Sequence, residues 1–189
     1  MELIQHIQNH FRIPLDEVPR VAELFKPKQF QKGSFYSKKG SYCTQLSFLQ
    51  KGHIRIFDQH KDKEITQWIA GPGQLITDLR SFVFQHPSRW QMQCLDDVEL
   101  FSIARNDFEK IHQLVPNWAQ IEKEFISDCF ITLENRVFSH LSMTAEERYQ
   151  HLYTYNPSIF NSVPQQYLAS MLGMTPETFS RIRKKAVLS

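Results

Sequence analysis

Pro164-Gln-Gln-Tyr-Leu-Ala-Ser-Met-Leu-Gly-Met-Thr-Pro-Glu-Thr-Phe-Ser-Arg-Ile-Arg-Lys-Lys-Ala-Val-Leu-Ser189 is the stretch whose reading organises the rest of the chain. Pro164 suits the start of a helix, where a missing N–H costs nothing. Leu168, Met171 and Leu172 recur at i, i+3, i+4 and form one buried stripe. Gly173 follows the last of them and suits the left-handed residue that ends a helix. Thr175 is a good N-cap, Pro176 a good first helical residue, and Glu177 suits the positive helix start. Phe179 and Ile182 dock this second helix onto the first. Thr178, Ser180, Arg181, Lys184 and Lys185 are left on outward or flanking positions. The spacing predicts a helix-turn-helix.

The local charge points the same way. From Pro164 on there are four cations (Arg181, Arg183, Lys184, Lys185) against one anion (Glu177), whereas the rest of the chain holds 18 cations and 19 anions. The net positive charge therefore sits beside the reading helix, where phosphates would lie. A basic helix end that merely complements its own dipole is the plainer alternative. Cap, glycine turn, apolar spacing and basic end together favour the reader.

The 189 residues allow one large domain or two small ones, and an apolar share of 41% with 15 Phe is enough for a core. A global charge of +2 does not by itself mark a nucleic-acid binder. Cys43, Cys94 and Cys129 show neither metal spacing nor a disulfide framework, which predicts a reducing, cytoplasmic setting. The start lacks the basic and apolar regions of a signal peptide, and no apolar run approaches membrane-spanning length, so no membrane partner is expected.

Along the chain, residues 2–10 and 15–25 read as short helices. Between Phe30 and Ile103, short β-rich runs (34–36, 45–50, 53–58, 64–69, 89–94, 98–103) alternate with glycine, proline and charged turns, and Lys51-Gly52 reads as a hairpin turn. Six such runs predict a small barrel or sandwich. Residues 104–113 read as a helix. A long helix then runs from Pro116 to about His140. Ile126, Phe130, Leu133, Val137 and His140 step along it by 4, 3, 4, 3, a heptad seam continued by Leu141, while Trp118, Ile121 and Phe125 form a second stripe. One stripe covers the barrel and the other meets a second copy, which gives a homodimer. Thr144 caps a further helix to about Tyr155, Asn156-Pro157 breaks it, and 161–163 reads as an extended link.

This order, with the stretch Leu168-Ala-Ser-Met-Leu-Gly-Met-Thr-Pro-Glu-Thr-Phe-Ser-Arg181 and Gly71-Pro-Gly-Gln-Leu-Ile-Thr-Asp-Leu79, resembles the Crp/Fnr family of bacterial transcription regulators. The expected fold is α+β. A cyclic-nucleotide-binding-like double-stranded β-roll (a cupin-like jelly roll) spans 1–115, a dimerisation helix 116–141, and a helix-turn-helix of winged-helix type 142–189. The family's wing hairpin does not follow before Ser189. The resemblance implies a homodimer on a palindromic double-stranded DNA operator, with RNA polymerase as a further partner.

Carried over residue by residue, the family's base-reading pair falls on Glu177 and Arg181, with Thr178 and Ser180 beside them. Glu accepts from a cytosine amino group, and Arg spans both acceptors of a guanine edge. Pro176 stands where cyclic-AMP-responsive members often carry a further Arg. Gln165, Gln166, Thr175, Arg183, Lys184 and Lys185 are the candidates for phosphates. The effector pocket falls on Gly73, Leu75, Ile76, Thr77, Asp78, Ser88 and Arg89. The family's Gly-Glu pair is here Thr77-Asp78, with a Cβ where close approach is wanted. Its Arg-Ser clamp is reversed to Ser88-Arg89, and a one-residue shift on a strand sends a side chain to the other face. The expectation is a degenerate pocket without tight cyclic AMP binding. No cofactor is assigned, and the effector, if any, is an unidentified small molecule.

The eight histidines (6, 10, 53, 60, 86, 112, 140, 151) contain no His-x-His pair of the kind that would seat a metal on one strand face. A cupin-like metalloenzyme therefore stands behind the regulator reading. No nucleophile motif or nucleotide-binding glycine pattern is present, and no enzyme is expected. A small-molecule sensor acting through protein contacts, with little DNA binding, is the alternative function.

Overall fold

The computed structural model describes residues 3–188, with side chains through Ala186. α1 (Leu3–Phe11) and α2 (Val18–Ala22) lead into β1 (Lys26–Phe30). The helix expected over 15–25 is cut short and a strand missed by sequence reading follows. Pro27 hid the strand from sequence reading, since a proline is tolerated in a strand only at a sheet edge. β1 is such an edge.

The roll continues through β2 (Phe35–Ser37), β3 (Gln45–Lys51), β4 (Ile54–His60), β5 (Lys63–Ala70), β6 (Leu75–Ile76), α3 (Leu79–Phe84), β7 (Gln91–Cys94) and β8 (Val98–Ala104). Two antiparallel four-stranded sheets face each other, in the orders β1-β8-β3-β6 and β2-β7-β4-β5. Gly52 makes the β3–β4 turn at φ +85°, where a Cβ would lie 2.6 Å from the Asp97 carbonyl oxygen, so only glycine fits.

The helix expected over 104–113 is two, α4 (Arg105–Phe108) and α5 (Ile111–Leu114). Both Phe108 and Ile111 are drawn into one core with Phe11, Phe48, Phe82, Trp118 and Phe125, and a turn at Glu109-Lys110 serves both. α6 (Trp118–Ser142) is the long helix. Trp118 and Phe125 are buried against the roll, whereas Ile126, Phe130, Leu133 and Val137 are 43–59% exposed.

α7 (Ala145–Tyr155) opens on a complete capping box, Thr144 with Glu147. Where 161–163 was expected to be extended, α8 (Ile159–Ser162) forms, because Pro157 fits its first turn and Ile159 and Phe160 enter the core. α9 (Gln165–Met171) and α10 (Pro176–Leu188) close the chain. α7 to α10 share a core of Tyr149, Phe160, Leu168, Phe179 and Ile182, which the roll residue Ile69 joins. α9 runs along β5, an edge strand, and the Ser170 hydroxyl accepts from the Thr66 amide at 2.9 Å. Among the described residues no helix is long and apolar enough to cross a membrane.

Candidate nucleic-acid interface and effector pocket

Local chemistry builds the turn between α9 and α10. Gly173 sits at φ +67° and its amide donates to the Ser170 carbonyl at 3.1 Å, while the Met174 amide donates to Ala169 at 3.0 Å. These two bonds make a Schellman motif. The Thr175 hydroxyl then accepts from the Thr178 amide at 3.2 Å, the N-cap bond of α10. Phe179 is fully buried and stacks on Phe160, with ring centroids 5.9 Å apart. Arg148 and His140 meet the carbonyls at the end of α9: Arg148 Nε donates to Leu172 at 2.8 Å and His140 Nε2 lies 3.3 Å from the Met171 oxygen. His140 thus steadies the turn.

With Phe179 and Ile182 inside, the opposite side of α10 is open. Pro176, Glu177, Ser180, Arg181 and Lys184 line one shallow concavity there. Glu177, Arg181 and Lys184 are exposed; Thr178 and Ser180 are half-buried. The Glu177 carboxylate is held below its ordinary range by its own backbone amide and then by the Thr175 hydroxyl. Of the remaining candidate phosphate residues, Gln165, Gln166 and Thr175 are exposed at the start of α9 and α10. Arg183 is half-buried beside Tyr149, and Lys185 is ion-paired to Glu146 of α7 at 2.9 Å. Arg181 and Lys184 are the cations that share the concave face with Glu177.

The pocket candidates are placed differently. Leu75 and Ile76 pair with β3 opposite Phe48 and Ser47. Gly73 takes φ +90° and Thr77 Oγ1 donates to the Gln45 carbonyl at 2.9 Å. Asp78 is 3% exposed; it caps α3 through the Ser81 amide at 3.0 Å and accepts from the Arg89 amide at 2.9 Å. That cap, and α3 itself, escaped sequence reading, although Asp followed by an apolar run is the signal for it. Ser88 is buried with its hydroxyl 3.0 Å from that of Ser37. The Arg89 side chain is exposed and lies 4.9 Å over the Trp90 ring. Inside the roll, the Tyr36 hydroxyl sits 2.9 Å from Ser47 Oγ and donates toward the Ile76 carbonyl at 3.2 Å. Burial pushes that phenol well above its ordinary range. Among the described residues no three His, Cys, Asp or Glu side chains gather to hold a metal ion.

Residues 27–114 match the family model for the cyclic nucleotide-binding domain. No curated protein matches the chain in sequence. Among solved structures, FixK2 from Bradyrhizobium japonicum superposes with a TM-score of 0.68 at 15% identity, covering 85% of this chain and 83% of its own. A CooA variant from Carboxydothermus hydrogenoformans gives 0.63 at 16%, covering 88% of this chain and 78% of that one. CLP from Xanthomonas campestris, described as a c-di-GMP responsive global regulator, gives 0.60 at 13%, covering 93% and 92%. The roll thus resembles a cyclic nucleotide-binding domain, and the chain as a whole shares the fold of these solved structures.

Proposed function

We propose that this chain is a homodimeric, sequence-specific DNA-binding transcription regulator of the Crp/Fnr type, acting in the bacterial cytoplasm. The observation that carries the reading is the open face of α10, where Glu177, Ser180, Arg181 and Lys184 stand together on a helix whose other side is locked by Phe179 and Ile182. One acceptor and one forked donor on a helix of this placement suit base edges, and the neighbouring Lys184 suits a phosphate. A roll (1–115), a dimerisation helix (116–141) and a reader (142–189) divide the work. The exposed apolar residues Ile126, Phe130, Leu133 and Val137 support pairing with a second copy, which brings two reading helices to a palindromic operator.

The proposal includes a pocket that does not hold cyclic AMP tightly. Asp78 is committed to two backbone amides and the Arg89 guanidinium lies outside over Trp90, so the acid expected at the ribose and the cation expected at the phosphate are engaged elsewhere. A phosphate closed in without a countercharge would cost several kcal/mol.

Mobility-shift assays on operators selected from genomic DNA test the reader. Arg181→Ala should lose ~1–3 kcal/mol of discrimination between operator and scrambled sequence. Lys184→Ala should weaken all DNA alike and reduce the salt slope by about 1. If both variants bind the operator as the wild type does, α10 is not the reader. Calorimetry giving sub-micromolar cyclic AMP affinity would overturn the pocket reading.

A further inference from the structure

We infer that Arg55 is a positioning residue for the reader, clamping it to the roll so that α10 is presented to DNA at a fixed attitude with no effector bound. The inference rests on the DNA-reading proposal above and adds to it how the reading helix is aimed.

Arg55 lies on β4 between two isoleucines, and its side chain is 2% exposed. A charge so deeply placed is costly unless it is fully partnered. Its Nε donates to Thr66 Oγ1 at 2.9 Å and an Nη donates to Glu64 Oε2 at 2.7 Å, both on β5. The guanidinium also lies against two rings, Phe57 of the roll at 4.1 Å and Tyr167 of α9 at 3.9 Å. One ring therefore belongs to the roll and the other to the reader. If the reader lifted away, a buried cation would lose one of its ring partners.

Two further bonds hold the same line. The Thr66 amide donates to Ser170 Oγ of α9 at 2.9 Å. Arg136 of α6 donates to the Gln67 carbonyl and lies 4.9 Å over the Trp68 ring. Three consecutive β5 residues thus fasten α9 and α6 to one strand. Throughout, the concave face of α10 stays exposed. The contact fixes orientation and does not mask the reader, which is why we assign it a positioning role and not an inhibitory one. The planar fork and stackable faces are properties of arginine that lysine lacks, so Arg55→Lys is a severe change here.

The full-length wild type and the variants Arg55→Lys, Tyr167→Leu and Tyr167→Phe are titrated onto a selected operator over a range of salt. Arg55→Lys and Tyr167→Leu should each weaken binding on the order of 10-fold, with the salt slope unchanged because the phosphate contacts are untouched. The double variant should be little worse than either single one, and Tyr167→Phe, which keeps the ring, should bind like the wild type. Hydrogen exchange at the Thr66 amide, read in the wild type with and without operator, needs no variant: protection should persist on DNA. Wild-type affinity or tighter binding in both disruptive variants overturns the inference, as does loss of Thr66 protection on the operator. Failure of the wild type to select any DNA overturns the DNA-reading proposal and the inference with it.

Discussion

Two helices begin on an acidic, capped turn, one in the roll and one in the reader, and they use that turn differently. At α3, Asp78 is buried and both its oxygens are taken by backbone amides. At α10, Thr175 does the capping and Glu177 sits exposed beside it. With a threonine cap the neighbouring acid stays at the surface; with an aspartate cap the acid is buried as the cap itself. The same chemistry at a helix start thus marks a closed structural joint in the roll and an open face in the reader.

The sharpest way to break this contrast is to remove what lets the open face count twice. Leu133→Arg, in the exposed seam of α6, should convert a dimer to a monomer in sedimentation and lower operator affinity by ~10²–10⁴, the avidity of a linked second half-site. The roll should keep its melting transition, since Leu133 is not part of its core. An unchanged dimer would place the interface elsewhere.

Asp78→Ala comes next. Loss of the α3 cap should cost about 0.5–2 kcal/mol in urea unfolding, with operator affinity little altered. A strong change in DNA binding without loss of stability would mean that Asp78 still serves an effector.

The smallest effect concerns Glu177. Its folded-state value lies below the ordinary 4.5, held there by its own amide and Thr175. A depressed carboxylate contributes stability that is fully present above the unfolded value and is lost as pH falls through the lower, folded one. Thermal melts of Glu177→Gln should therefore be slightly shallower than wild type in their decline below about pH 4.5 and parallel to it at neutral pH. An identical acid limb would remove the proposed bond to Thr175.

What sequence made legible was local. The Thr144 cap, the glycine at 173 and the spacing of Phe179 and Ile182 specify their elements within a few residues, and the structure has them there. The long helix was found for the same reason, from its periodicity. β1 was hidden because Pro27 argues against a strand unless the strand's place at an edge is known. Asp78 was read as a pocket residue because the two amides it serves, one of them eleven residues ahead, are set by the folded loop. Arg55 was invisible for a stronger reason. Its partners lie far apart in the chain, Tyr167 on helix α9 and Thr66 on strand β5, and nothing in the run Ile54-Arg-Ile56 announces a ring arriving from more than a hundred residues away.

The placement of α9 along β5 has a consequence for solubility. β5 ends its sheet, and an unpaired strand edge is a template on which another chain can add. The reader occupies that edge with a helix and hides Ile69 beneath it. A roll deprived of its reader would expose both the edge and its apolar flank, and would be expected to self-associate through them. The helical domain that carries α10 is also the cover that keeps the roll's open edge from meeting another.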